Sequence, residues 1–122
     1  MANLTLGAFV APIKDMNRAV QFYTDVLGLK VKQQGEMLSI LETGNSQVWL
    51  LDYQGRLEPS DGPTQIIFFV DEAIEDVDQR VRDAGCSYRE ELHEDGLGKL
   101  FIFIDSEGSS VEIRQPTEYV TG

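Results

Sequence analysis

One order of elements, strand–helix–strand–strand–strand, is written twice along this chain, and that repeat limits its fold more than any other feature. Residues 4–11 form a short apolar run with Gly7 inside it and Pro12 closing it, which predicts a buried strand. Asp15 is placed to cap a helix over 16–26, where Met16, Ala19, Val20, Tyr23 and Leu27 recur at helical spacing and Gly28 ends the run. Three short strands are predicted next, at 29–34, 37–42 and 47–52, broken by Gly35 and by Thr43-Gly44-Asn45-Ser46.

Residues 53–63 carry two glycines, two prolines and mostly polar side chains, and read as a linker. The same order then starts again. A β-branched and aromatic strand is predicted at 64–70, then a helix over 71–84 with Ile74, Val77 and Val81 on one face and Gly85 at its end. Strands at 86–91, 99–104 and 110–115 follow, with turns at 95–98 and 105–108. The period is roughly 55 to 60 residues and is carried by element order rather than identity. The expectation is an α+β chain with one domain over 1–122, built from module one (1–56) and module two (62–116). A helix covers one face of each sheet, so pairing the modules is expected to set curved mixed sheets around a cleft suited to a ligand.

At 122 residues the chain can bury a core alone, and 42% hydrophobic with 25% charged residues is an ordinary globular balance. No apolar run approaches bilayer length, and the N-terminus lacks a basic leader segment, so no membrane association is expected. Cys86 is the only cysteine, which excludes an internal disulfide and a cysteine-built zinc site and points to the reducing cytoplasm. The 21 acidic against 10 basic residues give a net charge of −11, which argues against nucleic acid as a partner. The acidity serves solubility or attracts a cationic ligand, and composition alone does not choose between them.

Two stretches carry a family resemblance. Ile13-Lys14-Asp15-Met16-Asn17-Arg18-Ala19-Val20-Gln21-Phe22-Tyr23-Thr24-Asp25-Val26-Leu27-Gly28-Leu29 resembles the opening signature of the vicinal-oxygen-chelate superfamily, the glyoxalase, bleomycin-resistance and extradiol-dioxygenase group. Asp105-Ser106-Glu107-Gly108-Ser109-Ser110-Val111-Glu112-Ile113 is similar to its closing signature. Fold does not give function in such a group, which includes metal-dependent lyases, ring-cleaving dioxygenases and pure drug-binding proteins.

The resemblance implies four metal-ligand positions: Ala8, Leu50, Gln65 and Glu112. Ala8 and Leu50 have no donor atom, Gln65 offers a neutral amide oxygen, and Glu112 is the sole carboxylate. A divalent ion needs more than that. The lone His93 lies in the polar stretch 90–98 and reads as a surface residue. Cys86 has no flanking His or Lys and reads as inert.

Strand parity puts Ser110, Glu112 and Arg114 on one face and Val111 and Ile113 on the other. Glu112 then has three readings: a carboxylate neutralised by Arg114, an acceptor that with Gln65 orients a polar ligand group, or a general base. Trp49, Phe68, Phe69, Phe101 and Phe103 lie on predicted strands, where most aromatics are core. Phe69 shares parity with Gln65 and is expected in the cleft. Trp49 has the parity opposite to Leu50, and Tyr53 at the linker is a candidate for the mouth.

The leading expectation is a metal-independent, cytoplasmic, homodimeric protein of the bleomycin-resistance-like type. It would hold a small cationic or planar molecule through Gln65, Phe69, Glu112, Trp49, Tyr53 and Arg114, with no cofactor and no catalytic residue. The competing expectation is a glyoxalase-type lyase or extradiol-type dioxygenase with a divalent metal on Gln65 and Glu112.

Overall fold

The computed structural model of the protein describes residues 7–54, 66–71 and 73–117. The predicted strand starts at 4–6 and 64–65, most of the linker, and Gln65 lie outside the described residues. The chain is α+β, and its described residues form two four-stranded mixed sheets and two helices. It divides into two compact units, Met1–Pro59 and Ser60–Gly122.

In the first unit, β1 (Ala8–Ile13), α1 (Met16–Asp25), β2 (Lys30–Gln33), β3 (Leu38–Glu42) and β4 (Gln47–Asp52) follow the order read from sequence. The sheet order is β1-β4-β3-β2, with β1 parallel to β4 and the other pairs antiparallel. Asp15 caps α1, its Oδ1 accepting from the Arg18 N–H at 3.1 Å. The buried face of α1, Ala19, Val20, Phe22 and Tyr23, packs toward β4 and β2. Pro12 does not end β1 as expected, because the strand runs on through it to Ile13. Among the described residues β1 is an edge strand with β4 as its one neighbour, and an edge tolerates a residue that has no N–H to give.

The two faces of this sheet differ sharply. Ala11, Ile13, Leu41, Val48 and Leu50 are buried on the helix side, whereas Val10 and Trp49, paired in register, occupy the other face and remain partly exposed. Leu50 therefore belongs to the core beneath α1. The inward placement carried to it by family resemblance is corrected here: the open face of β4 carries Gln47, Trp49 and Leu51.

In the second unit, β5 (Ile66–Phe69), α2 (Ile74–Asp83), β6 (Tyr88–Asp95), β7 (Gly98–Ile104) and β8 (Ser110–Pro116) form a sheet of order β5-β8-β7-β6, with β5 parallel to β8. α2 starts later than the expected residue 71; Ala73 sits at its N-cap without a side-chain cap bond. Glu75 and Asp76 in its first turn and Arg80 and Arg82 in its last complement the helix dipole instead. Val77, Val81, Phe101, Phe103, Val111 and Ile113 make the core on the helix side. The Tyr88 hydroxyl donates to Asp78 of α2, and its ring stacks on Phe101 with centroids 5.6 Å apart. Burial and the Asp78 contact push the Tyr88 phenol well above its ordinary range.

β6 is longer than the predicted 86–91. Its pairing with β7 continues to Asp95 opposite Gly98, so His93 lies on a strand rather than in a loop. Gly98 has φ 134°, and a Cβ there would run into the Gln115 carbonyl oxygen on β8. Among the described residues no helix is long and apolar enough to cross a membrane.

Candidate functional site

The register of β8 decides which side chains share its face away from α2. β5 sets Ile67 opposite Glu112 and Phe69 opposite Arg114, while β7 sets Ile104, Ile102 and Leu100 opposite Ser110, Glu112 and Arg114. Paired residues in neighbouring strands point the same way, so these side chains form one patch on the face away from α2. Phe69 is 56% exposed and Ile67 45%, unlike the buried polar residues beside them. Phe69, Glu112 and Arg114 are thus brought together on one face of the second sheet. Trp49 lies on the open face of the first sheet, Tyr53 is half-exposed just past β4, and Gln65 lies outside the described residues.

Arg114 organises the polar centre of this patch. Its Nε donates to Glu112 Oε2 at 2.7 Å, and its Nη1 and Nη2 donate to the two oxygens of Asp95 at 2.9 and 3.1 Å. The fork on Asp95 is bidentate, the geometry in which guanidinium and carboxylate match best. The hydrogen bonds from Arg114, then the Leu97 N–H, lower the Asp95 carboxyl to about 2 from an ordinary 3.8, and the Asp95 contact raises the Arg114 guanidinium further. Two carboxylates against one guanidinium leave the trio with a net negative charge. The Glu112 side chain is only 9% exposed, and its Oε1 has no hydrogen-bond partner among the described residues. The neutralised-pair reading of Glu112 is therefore half of the picture, since one oxygen is held and the other is left open.

The sequence reading missed Asp95 and Ser110. Asp95 reaches Arg114 only because the β6–β7 hairpin folds it back, and no local pattern signals that contact. Ser110 carried a signal, its parity with Glu112, which was not used. It is 4% exposed, and its hydroxyl is buried without a hydrogen-bond partner.

Among the described residues, the family's metal positions Ala8, Leu50 and Glu112 do not assemble a donor set. Ala8 supplies no ligand atom, Leu50 is turned under α1, and Glu112 gives one oxygen to Arg114. Among the described residues there is no group of three or more His, Cys, Asp or Glu able to hold a metal ion. His93 is exposed, its Nε2 3.3 Å from Glu90 and its Nδ1 2.8 Å from the Glu91 carbonyl oxygen. Burial, with Asp105 adding to it, raises the Cys86 thiol, which favours the unreactive form.

A tandem pair of βαβββ units, each a mixed sheet with a helix on one face, defines a two-module α+β class. The chain belongs to the glyoxalase/bleomycin resistance protein/dioxygenase superfamily, whose family model matches residues 5–113. Among solved structures it is similar to TnmS3, an antibiotic binding protein from Streptomyces sp. CB03234, at TM-score 0.79 and 18% identity over 96% of this chain and 99% of that one. It is similar to lactoylglutathione lyase from Agrobacterium tumefaciens at TM-score 0.76 and 19% identity, covering 94% and 96%. It also resembles the oxidase ChaP-H2 at TM-score 0.76 and 27% identity, covering 95% and 96%. No curated protein matches the chain by sequence.

Proposed function

We propose that this chain is a metal-independent binding protein of the bleomycin-resistance-like type, which holds a small cationic or planar molecule against the face of its second sheet away from α2, where Ile67 and Phe69 are exposed. The observation that carries the reading is Glu112. A nearly buried carboxylate with one oxygen held by Arg114 and the other open lies beside the exposed apolar side chains Ile67 and Phe69. Apolar surface with a few fixed polar groups is the usual make-up of a small-molecule site. The net negative charge of the trio suits a cation, and the exposed ring of Phe69 suits a planar body. The structural likeness to an antibiotic binding protein supports the same reading. Gln65 is a further proposed contact, and Trp49 and Tyr53 are proposed as ligand-binding residues of the first unit by itself. Arg114 serves the site by holding Glu112, because its Nε, Nη1 and Nη2 are already engaged.

The protein is proposed to work in the cytoplasm as a homodimer whose interface includes an edge strand, β1 or β5. The test is a thermal-shift screen of cationic and planar aromatic compounds, run with and without a chelator, beside metal analysis of the purified protein. A ligand that binds only the folded state raises the melting temperature. Stabilisation that persists in chelator supports the proposal; a stoichiometric divalent metal that ligands require would replace it with the lyase or dioxygenase reading.

A further inference from the structure

Ser110 and Glu112 stand two residues apart on β8 and share its face away from α2, which sets their Cα atoms roughly 6.5 to 7 Å apart along the strand. The Ser110 hydroxyl is buried without a hydrogen-bond partner, and Oε1 of Glu112, which is not among the fully buried unpaired atoms, has no hydrogen-bond partner among the described residues. Their register neighbours are Ile104, Ile102 and Ile67, none of which has a side-chain group able to meet them. Buried polar atoms are rarely left unpaired in proteins, and a buried unpaired hydroxyl beside a carboxylate oxygen that no protein group holds points to a shared occupant.

We infer that Ser110 Oγ and Glu112 Oε1 form a two-point seat for a ligand head group that donates a hydrogen bond, a hydroxyl or a protonated amine on an apolar or aromatic body. The inference rests on the reading of this face as a binding surface and adds a specificity-determining residue to it. Glu112 as a carboxylate only accepts, so the head must carry an O–H or N–H. Ser110 both donates and accepts, so it serves a hydroxyl by donating to its oxygen and an ammonium by accepting from it. A head without a donor, such as an ether or ketone, leaves Oε1 unmet and is discriminated against, since a site with a buried polar group rejects a ligand that fails to pair it.

The experiment uses the full chain and three probes with one naphthalene body: 2-naphthol, 2-naphthylmethylamine and 2-methoxynaphthalene. Affinities are measured by fluorescence titration for wild type and Ser110→Ala, with the melting temperature of each ligand-free protein. Wild type is expected to bind the naphthol or the amine roughly tenfold or more tighter than the ether, the ratio of one well-made hydrogen bond. Which of the two leads tells a hydroxyl head from a cationic one. Ser110→Ala is expected to lose most of that preference while its own melting temperature holds or rises, because no protein bond is removed. Equal binding of all three probes, or a preference untouched by Ser110→Ala, overturns this inference and leaves the binding-protein reading standing. A fall of several degrees in the variant's melting temperature with unchanged affinities assigns the hydroxyl a structural role and overturns it as well. Binding of none of the probes contradicts both readings.

Discussion

Arg114 donates to Glu112 through Nε while its far edge grips both oxygens of Asp95, so one guanidinium fixes a buried carboxylate by leaning on a more exposed one. The two carboxylates are not equivalent partners. The Asp95 side chain is 40% exposed and can be hydrated, whereas that of Glu112 is 9% exposed.

Arg114→Leu is therefore expected to destabilise by about 3 kcal/mol or more, because it leaves Glu112 buried with no cation. Glu112→Gln should cost about 1 kcal/mol, since Arg114 keeps Asp95 and the amide oxygen can still accept from Nε. Urea denaturation of both variants checks the order. Equal losses would mean that Glu112 matters to the fold more than this account allows.

The stability that Asp95 contributes follows pH with a definite sign. Its carboxyl is lowered in the folded state to about 2 from an ordinary 3.8, so the contribution is present above about pH 4 and fades as pH falls toward 2. The melting-temperature gap between wild type and Asp95→Asn should be constant from pH 5 to neutrality and narrow below about pH 4. A gap that widens on acidification would contradict the ion pair.

Gly98→Ala tests the hairpin that brings Asp95 to Arg114. The substitution combines φ 134° with a Cβ directed at the Gln115 carbonyl oxygen and only 3.0 Å from the Pro116 Cα. Both neighbours are backbone and cannot step aside cheaply, so a loss of about 2 kcal/mol or more is expected by chemical denaturation. A neutral outcome would mean that the β7–β8 pairing relaxes there.

The edge strands lead to the assembly prediction. Among the described residues β1 and β5 end their sheets, with Val10, Ile67 and Phe69 exposed on them. Exposed apolar side chains on a sheet edge favour association. Light scattering at micromolar concentration is expected to give the mass of a dimer, and Ile67→Lys to shift it toward monomer if β5 is the edge used. A monomeric wild type would remove the homodimer from the account.

How much of this could be read in the sequence depended on how local the cause was. The α1 cap at Asp15 and its apolar stripe were legible because cap and periodicity sit within a few residues. The shared face of Glu112 and Arg114 followed from strand parity alone. Leu50 was misplaced because the family resemblance was carried to it through a stretch with no motif to anchor the alignment; its register with the buried Ala11 and Ser39 puts it on the buried face. β6 was cut short because its far half is solvated on both faces and shows no apolar alternation. The Asp95–Arg114 contact spans 19 residues and depends on the hairpin, so no window of sequence reveals it.

The central claim is that Glu112 binds the ligand and that no metal stands between them. The most direct measurement is a titration of chelator-treated protein, wild type and Glu112→Gln, with 2-naphthylmethylamine in its ammonium form. The account predicts the same wild-type affinity before and after chelation, and a loss of roughly 10- to 150-fold in Glu112→Gln, the worth of a charge-assisted hydrogen bond. Binding that vanishes with chelator and returns with a divalent ion, or an affinity indifferent to Glu112→Gln, would contradict it.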